Sequence, residues 1–297
     1  MLYLVYIIIL LIFALIYGRN ISFSMKKIIK IIIISLFTIF SFYYTDKVIE
    51  FSKRQDPIME KIKSFDKDIS PVNAILSEKT MLVGQSGTKV DVNNSYEQMK
   101  KINDYNEKLL EFTSIKPSIT MKDNLDKLII GTNTKDKKIS IVFNLEILNN
   151  LKEIVDIIKS QNVEVTLFLD GKLIEGNNLK SIISDNIRLG LYGYNNKYNE
   201  MSIRYMQNII KTNYSYSNYC LYKNESFLRS CINQKINTVK PIEINNNLFT
   251  NLTKNKENGL IYLIKPTDNN IKELNSTLIY LKQKGYDILS LDDLLSE

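Results

Sequence analysis

The chain has 297 residues, enough for one sizeable domain with accessory segments. It contains no histidine, so neither a Ser-His-Asp triad nor a histidine-based zinc or iron site can be built from this chain alone. Its formal net charge of +7 comes from lysines interleaved with Asp and Glu, a pattern typical of solvated surfaces, and we expect no nucleic-acid partner. The other interpretation of this charge is a basic surface that faces anionic lipid or an anionic wall polymer.

Two apolar stretches at the start of the chain predict transmembrane helices. Leu2–Tyr17 is uninterrupted, and as a helix it would span roughly 24 Å, slightly less than a hydrocarbon core of about 30 Å. Interfacial tyrosines and modest bilayer thinning can close that gap. Ile28–Tyr44 is broken by Lys30 and three hydroxyl residues. A start at Met25 would instead leave a single signal-anchor helix, so both one and two transmembrane helices remain open.

The basic residues Arg19, Lys26 and Lys27 lie between these stretches. Positive charge in a short loop places that loop in the cytoplasm, so everything after Thr45 is expected outside it. No small-x-small cleavage site follows Tyr44, which favours a retained anchor over a removed signal peptide. We therefore expect a protein of the cell membrane whose C-terminal domain is extracytoplasmic, with membrane lipid as one partner.

Residues 46–137 follow the membrane anchor, which we assign to residues 1–45. Apolar positions at helical spacing over residues 46–69 predict either a stalk or a helix that packs on the next unit. Thr80–Val83 and Lys89–Val92 are strand candidates, and the turn Gly84–Gly87 between them predicts a hairpin. Ser95, with Gln98 three residues later, has the capping-box pattern of a helix start. This region is thus predicted to be a stalk and a small α+β segment.

Residues 138–297 alternate between strand and helix patterns. Amphipathic helices are predicted over Ile147–Ser160, Asn224–Gln234 and Asn270–Lys284. The predicted strands are Ile139–Asn144, Val163–Leu169, Ile187–Tyr194, Asn218–Tyr222, Ile236–Lys240, Leu260–Lys265 and Tyr286–Ser290. Such alternation implies an α/β fold with a parallel sheet, and seven strands favour a small, imperfect (β/α)7-type barrel. In such a barrel the site lies at the carboxyl ends of the strands.

Several stretches of this region resemble the NodB-type polysaccharide deacetylases, a family of carbohydrate esterases. The first similar stretch consists of Lys138–Asn144, a following helix and Gln161–Gly171. It is similar to the start of the family's domain, where the first strand ends in T-F-D-D-G and the second reads A-T-F-F-x-x-G. Gly259–Ile264, Tyr280–Tyr286 and Leu289–Leu295 are similar to its closing pattern. The resemblance covers residues 138–297 and implies the barrel fold of that family.

The resemblance does not extend to the family's chemistry. Family members remove acetyl groups from amino sugars with a metal held by one Asp and two His, and another Asp acts as base. The resemblance aligns Asn144 with the base and Leu145 with the metal-binding Asp. It aligns Tyr192 and Asn196 with the two metal-binding histidines, and Lys265 with a further histidine near the end of the family's sequence. A Leu, a phenol and an amide are poor ligands for a divalent cation, so we expect no metal, no other cofactor and no deacetylase mechanism.

Phenols and amides nevertheless cluster near these strand ends, and eight tyrosines lie between Tyr192 and Tyr222. They are either half-buried packing residues or a platform for sugar faces. The candidates for ligand binding are Asn144, Glu146, Asp170, Tyr192, Tyr194, Asn195 and Asn196. The expected function is therefore an inactive domain that binds cell-wall glycan or an envelope protein.

Three other functions remain open. Glu146 and Asp170 could form a carboxylate pair like that of a glycosidase. The chain could also deacetylate a polysaccharide through a non-standard site, or serve as a structural scaffold of an envelope complex. Cys220 and Cys231 are the only cysteines, and in an oxidising compartment they form either one disulfide or two buried thiols.

Overall fold

The structure, a computed structural model, describes residues 23–65, 67–177 and 179–297. The chain divides into two compact units. The first combines the part up to Lys67 with Val90–Phe112, and the second combines Asp68–Lys89 with Thr113–Glu297. This division differs from the three predicted regions because strands from before residue 138 belong to the main sheet of the second unit.

The first unit is helical. It contains α1 (Phe23–Arg54), α2 (Pro57–Lys63), α3 (Val92–Ile102) and a 3-10 turn over Glu107–Leu109. Asp56 caps α2 and also accepts hydrogen bonds from Tyr96 and Lys100 of α3, both at 2.9 Å. A small apolar core holds the unit together, formed by Ile58, Met59, Ile62, Val90, Tyr96 and Met99.

Helix α3 begins earlier than the capping pattern predicted. Its N-cap is Asp91, which accepts a hydrogen bond from the backbone N–H of Asn94. Ser95 is fully buried inside the helix, where its hydroxyl accepts a hydrogen bond from the N–H of Glu111 at 2.9 Å. The predicted start at Ser95 was therefore wrong because this serine pairs with a distant segment rather than with its own helix end.

Helix α1 contains the described part of the predicted membrane anchor. Its segment Lys30–Arg54 has 25 residues, none of which is buried, and the mean hydropathy of its most apolar 18 residues is 1.4. Among the described residues it is the one helix long and apolar enough to cross a membrane, whereas the predicted first span, Leu2–Tyr17, lies outside them. A signal sequence has the same length and composition, so these properties alone do not establish a membrane span.

The second unit is built on an eleven-stranded sheet in the order β1-β2-β5-β10-β9-β8-β7-β6-β12-β11, with β13 beside β6. All of its pairs are parallel except β1 with β2. Strands β3 and β4 form a separate two-stranded sheet. The strands are β1 (Ile75–Leu76), β2 (Thr80–Val83), β3 (Gly87–Val90), β4 (Phe112–Ile115), β5 (Leu128–Thr132), β6 (Lys138–Leu145), β7 (Val165–Leu169), β8 (Ile187–Leu191), β9 (Tyr216–Leu221), β10 (Asn237–Val239), β11 (Ile242–Ile244), β12 (Ile261–Ile264) and β13 (Asp287–Leu289).

The sheet curls until β5 meets the start of β12. A bridge joins Gly131 to Leu260, and the N–H of Thr132 donates to the carbonyl of Gly259 at 2.8 Å. A Cβ atom on Gly131 would lie 2.3 Å from that carbonyl oxygen, so this contact requires glycine. The predicted α/β fold with an imperfect barrel is confirmed, and β5, a strand that was not predicted, completes the ring.

Each of the seven predicted strands is present, with ends shifted by one to three residues. The predicted hairpin around Gly84–Gly87 was wrong, because β2 pairs with β1 and β5 whereas β3 pairs with β4. The turn lies earlier, where the N–H of Ser77 donates to the carbonyl of Thr80. Beyond it, Gln85 and Thr88 bridge back to Val72 and Ile69, and both glycines pack against that backbone.

Seven helices accompany this sheet in the described chain: α4 (Leu151–Gln161), α5 (Gly171–Gly176), α6 (Glu200–Asn213), α7 (Glu225–Asn233), α8 (Leu248–Lys254), α9 (Asp268–Gln283) and α10 (Leu291–Leu294). Side chains alternate along β6: Ile141 and Phe143 join the core that includes the helices, and Val142 joins the core inside the barrel. Burial on both faces explains the nearly continuous apolar sequence of the strand. Helix α4 begins after its predicted start at Ile147, because residues 146–150 form a loop above the strand ends.

A disulfide joins Cys220 of β9 to Cys231 of α7, with their Cα atoms 6.6 Å apart. Of the two interpretations of these cysteines, the structure confirms the disulfide. Both residues are fully buried, so the bond fastens α7 to the sheet from within the core.

Candidate functional site

The main cleft of the second unit has a volume of about 800 Å³. It lies at the carboxyl ends of the parallel strands, where the barrel fold predicts a site. Its lining includes Asn144 near the end of β6, Tyr192 after β8, Lys223 after β9, Lys240 after β10 and Lys265 after β12. Five strands of the sheet thus each contribute a polar side chain, at or just after their carboxyl ends, to one concavity.

Tyr192 and Lys223 contact each other directly in the cleft. The Lys223 ammonium donates a hydrogen bond to the Tyr192 phenol oxygen at 3.0 Å and lies 5.6 Å from the ring centroids of both Tyr192 and Tyr198. The two rings meet edge to face, which fixes their positions. The hydrogen bond to Tyr192 raises the pKa of Lys223 above its ordinary value, so the ammonium is charged at neutral pH.

Asn144 and Leu145 point to opposite faces of β6, as neighbours in a strand do. Leu145 is 1 % exposed and belongs to the core shared with the helices. Asn144 is half-buried, and its side-chain oxygen has no hydrogen-bond partner among the described residues. An unpaired buried acceptor is costly, so this oxygen is an unfavourable feature of the site as it stands.

Three of the predicted ligand-binding residues stabilise a backbone turn and do not line the cleft: Asp170, Asn195 and Asn196. Asp170 caps α5, and its two oxygens also accept the N–H groups of Asn195 at 2.8 Å and Asn196 at 2.9 Å. Both asparagines have positive φ angles, 51° and 56°, which Asn tolerates better than most residues. The structure therefore brings these three predicted ligand-binding residues together, but as the support of a turn.

Tyr194 belongs to a neighbouring cluster. Its hydroxyl and that of Tyr205 both donate to the carboxylate of Glu175, and the two rings pack edge to face at 4.7 Å. The hydrogen bond to Glu175 raises the pKa of Tyr194 to about 12. Because these polar atoms satisfy one another, the cluster is a surface contact between α5 and α6, not a wall of the cleft.

The opposite wall of the cleft carries charge. Lys265 lies 3.8 Å from Glu243, and Lys240 lies over the ring of Tyr222, 5.3 Å from its centroid. Glu146 is exposed at the rim. Of the predicted site residues, Asn144, Leu145, Glu146, Tyr192 and Lys265 thus line the cleft.

Sequence reasoning missed Lys223, Lys240 and Glu243. The first two immediately follow or end strands that were predicted, so their positions at the strand ends were a usable signal. Glu243 could not be found in this way because β11 was not predicted.

The positions that hold metal in the resembled family do not fit a metal here. Leu145 has no donor atom, the phenol of Tyr192 already accepts a hydrogen bond from a cation, and Asn196 lies outside the cleft lining. In the described part of the chain, no group of three or more Cys, Asp or Glu residues is arranged to hold a metal ion. The remaining groups can donate and accept hydrogen bonds but cannot activate water as a metal does.

Comparisons with known proteins agree with this geometry. No protein-family model matches the sequence. A CE4 (family 4 carbohydrate esterase) pseudoenzyme from Bacillus anthracis superposes with a TM-score of 0.61 at 22% identity, covering 82% of this chain and 96% of that one. This chain has the CE4 fold.

A mutant CE4 pseudoenzyme with restored enzymatic activity gives the same TM-score at 21% identity, over 80% of this chain and 98% of that one. In sequence, the chain is 25% identical over 274 residues to the uncharacterised protein YlxY of Bacillus subtilis (strain 168), covering 82% of this chain and 85% of that protein. The CE4 matches confirm at the level of fold the resemblance carried by residues 138–297. They also extend it to residues before 138, since four fifths of the chain is covered.

Proposed function

We propose that the chain is a membrane-anchored, outward-facing protein whose CE4 fold has no deacetylase activity and binds cell-wall glycan in the cleft. The observation that carries the proposal is the hydrogen bond between Lys223 and Tyr192. It places a fixed organic cation against the residue that stands at a metal-ligand position of the family. The cleft remains open, but its groups are suited to binding a ligand and not to catalysing deacetylation.

The lining supports a sugar ligand. Tyrosine rings present flat apolar faces with a polar edge, which suits the faces and hydroxyls of sugar rings. Asn144 and Asn150 add amide groups to the lining. A volume of about 800 Å³ is ample for a few sugar residues by comparison with usual ligand pockets.

Anchoring and orientation rest on the N-terminal sequence. The unburied helix segment Lys30–Arg54 has the length of a span, and Lys26 and Lys27 precede it. Positive residues before a span favour the cytoplasmic side for that end, which leaves the second unit outside. An outer location also suits the disulfide between Cys220 and Cys231.

A matched pair of tyrosines tests binding in the cleft. Tyr222 lines the cleft and donates to Glu225 at 3.1 Å, whereas Tyr194 lies outside it and donates to Glu175. Both are half-buried. In pull-down of the full chain by wall glycan, Tyr222→Ala should weaken binding at least several-fold, as loss of more than ~1 kcal/mol would, and Tyr194→Ala should leave it unchanged.

Equal binding by both variants would place glycan binding outside the cleft. No glycan binding by the parent would end this proposal and favour a scaffold that binds an envelope protein. A glycosidase-like pair has no support, because the oxygens of Asp170 are engaged by backbone N–H groups and only Glu146 lines the cleft.

A further inference from the structure

The cleft carries more positive than negative charge. Its lining contains three lysines and two glutamates, an excess of one positive charge: Lys223, Lys240, Lys265, Glu146 and Glu243. Lys265 and Glu243 form an ion pair at 3.8 Å, so among the described residues of the lining the charges left without such a partner are those of Lys223, Lys240 and Glu146. Within the described chain, neither Lys223 nor Lys240 has an acidic oxygen within 4.0 Å, and the partners of both are tyrosines.

Lys223 is the better placed of the two. An ammonium group has three N–H donors, and one of them is used by the phenol of Tyr192. The ring of Tyr198, whose centroid lies 5.6 Å from the ammonium, lies on a second side, while the side chain as a whole remains exposed to the cleft. A cation fixed in this way loses little conformational freedom when it binds an anion.

We infer that the Lys223 ammonium is an anion-binding centre, and that the glycan bound in the cleft carries a carboxylate that contacts it. This inference rests on the proposed function and names the class of glycan. Charge-assisted hydrogen bonds make a carboxylate the natural partner of a lysine whose remaining donors face solvent. A cleft lining with an excess of one positive charge, with Glu146 at the rim and neutral amides around it, suits one isolated carboxylate better than a phosphate in every repeat.

The ligand itself provides the first test. The full chain in detergent micelles is titrated with peptide-free wall glycan strands whose carboxylates are free. The comparison is with the same strands after their carboxylates are coupled to ethanolamine, which leaves the backbone unchanged and neutral. The free strands should bind about tenfold more tightly, the effect of one charged hydrogen bond, and added salt should reduce the difference.

Two substitutions with opposite expected effects on glycan affinity provide the second test. Lys223→Met should weaken binding of the free strands about tenfold, and Glu146→Gln should strengthen it, because each changes the charge beside the carboxylate. Neither should change binding of the coupled strands by more than about twofold. Lys223→Arg keeps the charge and should retain most of the affinity. Lys272→Met, an exposed lysine of α9 outside the cleft lining, is the matched control and should have no effect.

The outcomes separate this inference from the proposed function. Equal binding of free and coupled strands overturns the carboxylate while leaving glycan binding in place. Tighter binding of polyglycerol phosphate than of either strand overturns it in favour of a phosphate ligand. No binding of any strand overturns the proposed function itself. If Lys223→Met does not fold, the comparison of the two strands on the parent chain still decides the question.

Discussion

The Lys223 ammonium donates a hydrogen bond to the phenol oxygen of Tyr192 at 3.0 Å. The resemblance to the NodB-type family aligns Tyr192 with a metal-binding histidine, so Lys223 lies beside a residue that this alignment predicts to replace a metal ligand. Tyr192 and the lysine after β9 thus form one local arrangement.

The first prediction concerns metal. The purified full chain should contain no stoichiometric zinc and should show no metal-dependent deacetylase activity, because its cleft has no adequate ligand set. The full chain is required, since β2 and β5 complete the sheet from before residue 138. One tightly bound transition metal per chain, found by elemental analysis, would contradict the prediction.

The sequence predicted the scaffold well because its signals are local. Apolar runs with helical spacing between them gave the seven strands of residues 138–297. The strand β11 and the entry of β5 into the barrel were missed, because short strands paired with distant segments carry little pattern of their own. The capping-box start at Ser95 failed for the same reason, since its partner Glu111 lies sixteen residues away.

The site was predicted only in part. Asn144, Glu146 and Tyr192 could be located from strand ends, and they line the cleft. The sequence could not decide whether Asp170 and Asn196 belong to a ligand site or to a turn, because Asp and Asn are common in both. Only the three-dimensional contacts reveal that Asp170 holds that turn.

The second prediction concerns the disulfide. Unreduced, denatured protein should contain no thiol that can be alkylated, as measured by intact mass with and without reductant. Replacing Cys220 and Cys231 by Ala should lower the free energy of unfolding by about 2–3 kcal/mol, the chain-entropy value for a loop of this size. Unfolding of parent and variant under reducing conditions is the control. Two alkylatable thiols in the unreduced chain would show that the bond does not form.

The third prediction concerns closure of the barrel. Gly131→Ala should lower the free energy of unfolding by about 1–3 kcal/mol, because its Cβ would meet the carbonyl oxygen of Gly259 at 2.3 Å. Gly176→Ala is the matched control, since no described atom lies within 4 Å of its Cβ. Denaturant unfolding of both variants measures the difference. Equal stabilities would mean that β5 does not approach β12 this closely.

The fourth prediction concerns pH. Burial raises the pKa of Asp292 above its ordinary value of 3.8, although Arg188 lies 3.7 Å away and opposes the shift. A carboxyl with a raised pKa contributes stability in its protonated form, and that contribution is lost as the pH rises through the pKa of the folded protein. Between about pH 4 and about pH 7, the parent should therefore lose stability relative to Asp292→Asn. Parallel pH dependences of the two free energies of unfolding would contradict this assignment.

The last prediction concerns orientation in the membrane. Arg19, Lys26 and Lys27 precede the candidate span Lys30–Arg54, and basic residues near a span are retained on the cytoplasmic side. Protease added to intact cells whose wall has been removed should therefore digest the second unit, and a cytoplasmic marker protein should remain uncut as the control. Replacing all three basic residues by Gln should reduce the digested fraction, because most of the positive charge before the span is then removed and only Lys30 remains at its start. If the second unit is cut only after the membrane is lysed, the domain faces the cytoplasm, and a cell-wall glycan cannot be the ligand of its cleft.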